Sequence, residues 1–152
     1  TSSAAFRQPE VIAELIRELG ADRVTVAMDV DRNPRLPSGY EVFIDGGRTA
    51  TGADALEWAK RVSDFGVRCI LPTSKATDGA RTGFDLPLIR MIAAATPAEV
   101  VASGGAGTMD HFREAAEAGA TVLLAASVFH FGLIAIPGLK EYLRGCGFKV
   151  GR

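Results

Sequence analysis

Four short apolar runs divide this chain and are separated by longer segments in which apolar and polar residues recur with helical spacing. The runs cover residues 24–28, 70–71, 100–102 and 122–125. Apart from Thr25, each run is continuously apolar. Such runs are typical of parallel β-strands covered on both faces. Strands that alternate with helices indicate an α/β fold with a parallel sheet and right-handed crossovers.

The segments between the runs predict helices, and glycine or proline marks several of their ends. The predicted helices cover residues 9–19, 53–65, 85–95, 108–118 and 137–144. Pro9 suits a first helical position, and Gly20 suits the position after a helix. Residues 1–4 fit the tail of a further strand. Four strands and this tail make about half of an eight-stranded (β/α)8 barrel, which needs roughly 250 residues.

One longer connection, residues 31–51, surrounds the short run YEVFI with glycines and prolines. It fits a small β-hairpin over the mouth of a site and a plain surface excursion equally well. Trp58 in the following helix is predicted to pack on the barrel wall.

The ends of the predicted strands hold the candidate chemistry, because parallel α/β folds place their sites at the carboxyl ends of strands. Thr73 and Ser103 occupy such positions, and Asp29 is the one carboxylate directly at a predicted strand end. Apolar surroundings would raise the pKa of Asp29, as a general acid or base near neutral pH requires. The alternative is that Asp29 caps a loop or pairs with Arg32.

Small residues follow three of the strands and predict a phosphate site. Gly79, Gly105, Ala126 and Ser127 leave backbone N–H groups open to approach, and a short helix after residue 126 would attract anions. Paired loops after the last two strands of a barrel form its usual phosphate site. Each glycine alone also fits an ordinary turn. Together they indicate a phosphorylated small-molecule substrate.

Composition narrows the function further. The chain has 152 residues, enough for one domain over 1–152, with 47% hydrophobic and 23% charged residues. Its net charge of −1 gives no support for a nucleic-acid or membrane surface. No histidine or cysteine has metal-ligand spacing, so neither a metal nor another cofactor is predicted.

Cys69 and Cys146 are far apart in sequence, and Cys69 is interpreted as a buried, reduced thiol rather than a disulfide or metal ligand. No signal peptide or long apolar run is recognised, which favours the cytoplasm. The chain begins with Thr1 shortly before a helix, which predicts a missing N-terminal portion.

Several segments resemble the cyclase subunit of imidazole glycerol phosphate synthase, from histidine biosynthesis. They are VTVAMDV around Asp29, GGRTATG followed by Trp58, ILPTS and DGARTGFDLPLI, ASGGAGTMDHF, and LAASVFHF. The resemblance runs from Ser2 to the C-terminal region. It implies the C-terminal part of a (β/α)8 TIM barrel, about strands 5–8, from the tail of strand 4 through helix 8, without the N-terminal half.

The resemblance also implies a reaction. The family's cyclase takes phosphoribulosyl-formimino aminoimidazole carboxamide ribonucleotide, which has a phosphate at each end, and adds ammonia from a glutaminase subunit in a heterodimer. The products are imidazole glycerol phosphate and aminoimidazole carboxamide ribonucleotide. Of the family's two acid/base aspartates, Asp29 matches the second, and the first has no counterpart here. The chain alone is therefore expected to be inactive.

Residue by residue, the same register implies the ligand contacts. Gly79, Gly105, Ala126 and Ser127 match contacts to one phosphate, with Asp78 beside Gly79 in the same loop. Ser2 and Ser3 fall where the other phosphate binds, and Thr73 and Ser103 line the site between the two.

The sequence departs from the family at three places. Lys75, Ala76 and Thr77 stand where a hydrophobic residue followed by aspartate is usual, and Ser2 stands where asparagine is common. Cys69 replaces an acidic residue of the charged ring that gates ammonia. Two alternatives are a free-standing, non-catalytic phosphate-binding half-barrel and the sugar isomerase of the same pathway. The sequence motifs ASGGAG and AASVFHF disfavour the isomerase.

Overall fold

Six strands form the sheet in the computed structural model, which describes residues 2–151. They are β1 (Thr25–Arg32), β2 (Tyr40–Ile44), β3 (Thr49–Asp54), β4 (Cys69–Ser74), β5 (Glu99–Ala102) and β6 (Val122–Leu123). Their order across the sheet is β3-β2-β1-β4-β5-β6. Strands β1, β4, β5 and β6 run parallel, whereas β2 and β3 are antiparallel to their neighbours. The predicted α/β fold with a parallel sheet is confirmed.

Helices connect the strands. They are α1 (Ser3–Arg7), α2 (Glu10–Leu19), α3 (Ala55–Asp64), α4 (Leu86–Ala95), α5 (Met109–Glu117), α6 (Ser127–His130) and α7 (Ile136–Gly145), with a short 3-10 helix at Ala21–Arg23. All five long predicted helices are confirmed, with ends shifted by one or two residues. The fourth predicted strand is shorter than expected, since β6 ends at Leu123. None of the helices in residues 2–151 is long and apolar enough to cross a membrane.

The sheet buries one face much more deeply than the other. In β1, Val26, Met28 and Val30 are at most 1% exposed and join the core with Ile12 of α2 and Val62 of α3. The alternate positions of β1 and β4 are half-buried. The expectation that the strands are covered on both faces is therefore wrong for β1 and β4, whereas β5 is buried at three consecutive positions, Val100 to Ala102.

The first residues form a helix, so the predicted strand tail over residues 1–4 is wrong for Ser2, Ser3 and Ala4, while Thr1 lies outside the described residues. Helix α1 satisfies its own backbone, as in the bond from the Phe6 N–H to the Ser2 carbonyl. It also packs the Phe6 ring edge-on against Trp58, with ring centroids 5.0 Å apart. Trp58 is thereby buried beside the sheet, at 6% exposure.

The long connection folds as a β-hairpin, which decides between the two alternatives. Strands β2 and β3 pair with each other, and β2 pairs with β1 only from Asp29 to Arg32. The hairpin therefore lies along the carboxyl-terminal half of β1. This is the edge of the sheet at which the candidate site residues collect.

A buried carboxylate fastens this hairpin to the rest of the sheet. Asp85 caps α4 by accepting from the Leu88 N–H, and it accepts hydrogen bonds from the Tyr40 hydroxyl at 2.6 Å and the Ser74 hydroxyl at 3.0 Å. The Arg32 guanidinium lies 3.3 Å from Asp85 and over the Tyr40 ring. Burial and the Asp85 hydrogen bond raise the pKa of Tyr40. One carboxylate thus joins β1, β2, β4 and α4.

Replacing Asp85 should destabilise the fold more than its helix cap alone would explain. Asn in Asp85→Asn still caps α4, but it lacks the charge that strengthens the bonds from Tyr40 and Arg32. We expect a loss of about 3 kcal/mol in unfolding free energy, measured by urea denaturation. The control Asp64→Asn changes an exposed carboxylate at the end of α3 and should stay within about 0.5 kcal/mol. Equal effects of the two substitutions would refute the network's role.

Candidate phosphate-binding and catalytic site

Three predicted site residues lie in one row across the sheet. Asp29 of β1 is the register partner of Thr73 of β4, and Thr73 forms a parallel bridge with Ser103 after β5. Asp29 lies inside β1, three residues before its end at Arg32, so the expectation that it stands directly at a strand end is wrong: pairing with β2 extends β1 beyond it. The parallel register still makes these three residues, distant in sequence, neighbours near the carboxyl edge of the sheet. The row joins the candidate acid/base to the loop that begins ASGGAG.

Asp29 sits where its carboxylate is difficult to ionise. Burial raises the pKa of Asp29 above its ordinary value of 3.8, and the negative charge of Asp78 raises it further, while the positive charge of Lys75 opposes both. The predicted alternative of a pair with Arg32 is not formed, since Arg32 contacts Asp85 instead. A half-buried carboxyl group with a raised pKa suits proton transfer.

Lys75 links the loop after β4 to the hairpin. Its ammonium lies 3.6 Å from an Asp31 carboxylate oxygen and 3.6 Å from the centroid of the Phe43 ring. Phe43 is the register partner of Asp29 on β2. Lys75 therefore places its positive charge beside the paired strands β1 and β2, next to Asp29.

A small cleft brings together the residues predicted to hold phosphate. It has a volume of 170 Å3, and the predicted residues that line it are Asp78, Gly79, Ser103, Gly105, Ala126 and Ser127. The backbone N–H groups of Gly79, Gly105 and Ser127 donate to no other backbone group in residues 2–151. Small-molecule pockets usually measure about 300–1,000 Å3, so this cleft suits one group of a larger ligand.

The glycines of the cleft are constrained to different degrees. Gly105 has a φ of +105°, and a Cβ there would lie 2.0 Å from the Gly83 carbonyl oxygen. Gly83 also donates its N–H to the Gly105 carbonyl. Gly79 has a φ of +74° but open space around a Cβ. Close packing of two loops therefore requires glycine at 105, in addition to any contact with a ligand.

Ser2 and Ser3 lie apart from this cleft. The Ser3 hydroxyl accepts a hydrogen bond from the Asp45 N–H at 2.8 Å, and Asp45 also pairs with Arg7 at 2.8 Å. The two serines therefore adjoin the turn of the hairpin and do not line the cleft.

Two features of this region were not predicted from the sequence. Arg81 lines the cleft, and its only sequence signal is a basic residue within DGARTG. His111 completes a capping box with Thr108 at the start of α5, accepting through Nδ1 from the Gly107 and Thr108 N–H groups. Among residues 2–151 no group of three His, Cys, Asp or Glu side chains could hold a metal ion.

A larger cavity lies elsewhere. Its volume is 620 Å3, and it is an apolar groove beside β6 and α7, lined by residues such as Val122, Leu139 and Phe148. Among the described residues that line it, the charged ones are lysines. The groove offers apolar surface and no acid/base pair, so the strand ends remain the candidate site.

Comparison with known proteins gives the family. A family model described as "Histidine biosynthesis protein" matches residues 1–135. The chain belongs to this histidine biosynthesis protein family. It is 46% identical to imidazole glycerol phosphate synthase subunit HisF of Nocardia farcinica over 147 residues, which is 94% of this chain and 57% of the relative.

Two further relatives of the same name agree. The subunit of Pyrobaculum aerophilum is 46% identical over 98% of this chain and 58% of its own length. That of Thermobifida fusca is 44% identical over 98% of this chain and 59% of its own length. The predicted resemblance is confirmed, and the chain spans less than three-fifths of the length of these curated relatives.

The glycine constraints predict unequal effects of the same substitution. Gly79→Ala forces a left-handed backbone on alanine and should cost about 1–2 kcal/mol of unfolding free energy. Gly105→Ala adds an overlap with a backbone carbonyl and should cost more than about 4 kcal/mol or prevent folding. Thermal and urea unfolding would measure both. Equal, small losses would show that the loops at 83 and 105 do not pack this closely.

Removing the Lys75 charge should raise the pKa of Asp29, since that charge favours the ionised carboxylate. We expect the midpoint for Asp29 in Lys75→Met to rise, measured by 13C NMR titration of the carboxyl carbons. The control Lys60→Met removes an exposed lysine of α3 and should leave the midpoint unchanged.

The same change has a consequence for stability. A raised folded-state pKa means that folded Asp29 binds its proton more tightly than unfolded Asp29. Stability therefore falls as pH rises from 3.8 to the folded pKa, and Lys75→Met should extend this fall to higher pH. An unchanged Asp29 midpoint would contradict the proximity of the two charges.

Proposed function

We propose that this chain supplies the phosphate-binding half of a cyclase that, as in imidazole glycerol phosphate synthase, makes imidazole glycerol phosphate and aminoimidazole carboxamide ribonucleotide. This proposal rests on one observation: Asp29 and the 170 Å3 cleft lie at the same edge of the sheet. In a member of a histidine biosynthesis family, an acid/base beside a phosphate-sized cleft fits a phosphorylated substrate. The part of the substrate that reacts then lies outside the cleft, along the row formed by Thr73 and Ser103.

We further propose that residues 1–152 form the second half of a (β/α)8 barrel. Four parallel strands with helical crossovers support this arrangement, as does the half-buried face of β1 and β4, which closure of a barrel would cover. The apolar groove beside β6 supports it too, because a complementary half-barrel would fill it. The second catalytic aspartate implied by the resemblance would come from that complementary half.

Within such an enzyme the site residues would have separate roles in phosphate binding and proton transfer. The N–H groups of Gly79, Gly105 and Ser127, with Ala126 beside them, would bind one phosphate and fix the substrate's orientation. The rest of the substrate would extend past Ser103 and Thr73 to Asp29. Because burial raises its pKa, Asp29 would hold a proton closer to neutral pH and exchange it with the reacting centre. Ser2 and Ser3, on the hairpin side, would meet the second phosphate.

Ammonia from a glutaminase subunit would enter at the opposite edge, where the strands begin. Cys69 opens β4 there as a half-buried free thiol, in place of the family's acidic residue. Its register partner on β5 is Glu99, which restores a carboxylate one strand away. Two cysteines that form no disulfide support the cytoplasm as the compartment.

A non-catalytic phosphate-binding half-barrel is the second candidate. The observation that favours it is the apolar character of the β6 edge, where Val122 is 43% and Leu124 is 42% exposed. Copies of the chain could cover such edges by self-association. This candidate predicts phosphate binding by an oligomer without turnover under any condition, and a stable monomer in light scattering would count against it.

The decisive experiment compares the chain alone with a complemented enzyme. The resemblance implies two acid/base aspartates and only Asp29 matches one of them, so the purified chain with ammonia and substrate should show no turnover. Mixing it with the part of the Thermobifida fusca relative that it does not match should give product. In that mixture Asp29→Asn should reduce kcat by about 10²–10⁴-fold, and Asp64→Asn should leave it unchanged. Turnover by the chain alone, or full activity of the Asp29 variant, would overturn the proposal.

A further inference from the structure

One cationic side chain is among the described residues that line the phosphate-sized cleft, and it belongs to Arg81. The cleft also contains the carboxylate of Asp78, whose charge repels any anion. Backbone N–H groups carry only partial positive charges, so they offset that repulsion incompletely. A full positive charge on the wall of this cleft would add to the binding of a dianionic ligand.

The backbone at Arg81 is held in an unfavourable conformation. Its φ is +57°, in the left-handed region that glycine adopts without penalty, and the chain uses glycine with positive φ at both Gly79 and Gly83. A Cβ on Gly107 would lie 2.3 Å from the Arg81 carbonyl oxygen, so the opposing loop packs tightly against this backbone. Such residues persist only where the surrounding structure holds them, and they cluster at functional sites.

The Arg81 side chain is positioned without being neutralised. Its guanidinium carbon lies 5.8 Å from the centroid of the Phe131 ring, within the range of a cation–π interaction. It forms no ion pair with a carboxylate in the part of the chain that is described. Phe131 follows α6 and is 65% exposed, so its ring face is open to the guanidinium. The aromatic contact orients the guanidinium and leaves its N–H donors available.

We propose that Arg81 is the charged ligand of the phosphate group and that Phe131 orients it over the cleft. Arginine is suited to this role because its planar guanidinium can donate two parallel hydrogen bonds to phosphate oxygens. The pair makes the site selective for dianionic phosphate over neutral or singly charged groups. This inference rests on the proposed phosphate-binding role of the cleft.

The test uses the 152-residue chain and inorganic phosphate as the probe. Binding is followed by 1H–15N spectra, with the amide signals of Gly79, Gly105 and Ser127 as reporters. Arg81→Gln should weaken phosphate binding roughly tenfold, the loss expected for a charged hydrogen-bonding partner. Phe131→Leu should weaken it roughly threefold, since the guanidinium loses its platform. Arg90→Gln, which alters an exposed arginine of α4, is the matched control and should bind as the unmodified chain does.

Arg81→Gly separates binding from folding. Glycine relieves the left-handed backbone, so the thermal midpoint should be equal or higher, while phosphate binding should weaken roughly tenfold as in Arg81→Gln. Unchanged phosphate affinity in both Arg81 variants would overturn the role of Arg81 and leave the cleft assignment intact. An absence of phosphate-dependent shifts in the unmodified chain would overturn both.

Discussion

The buried carboxylate of Asp85 is the contact on which the geometry of the strand ends depends. It is 7% exposed and receives hydrogen bonds from side chains of β2 and β4 while it caps α4. A charge at this depth is stable only when it is fully hydrogen-bonded, so the four surrounding elements have one arrangement that satisfies it. That arrangement holds the hairpin next to Asp29 and the loop after β4 next to the phosphate-sized cleft.

The sequence was informative where one element determines its own structure. Continuous apolar runs located the parallel strands, and glycine and proline located the helix ends, because these signals are local. The rule that chemistry lies at carboxyl ends of strands then placed Asp29, Thr73 and Ser103 in one row. The sequence allowed the hairpin but did not distinguish it from a surface segment. The run YEVFI suits either, and its pairing with β1 is a contact distant in sequence.

The errors and omissions arose where structure depends on distant contacts. Residues 2–4 belong with a helix because Phe6 packs on Trp58, more than fifty positions later. The Asp85 network joins Arg32, Tyr40 and Ser74, whose spacing in sequence carries no motif. Gly105 was predicted to leave its backbone N–H open to a phosphate. Its close packing against Gly83 is visible only in three dimensions. Arg81 escaped notice because an isolated exposed arginine is ordinary in any loop.

The hairpin has a geometric consequence for whatever chain segment meets β1. Since β2 occupies that edge from Asp29 onward, an incoming strand must stop there, and it has space for about four residues, or roughly 13 Å. The chain leaving such a strand would emerge beside Asp29 whatever its sequence. The hairpin thus limits how far a neighbouring strand can extend along β1. It also places the loop that follows such a strand next to the acid/base.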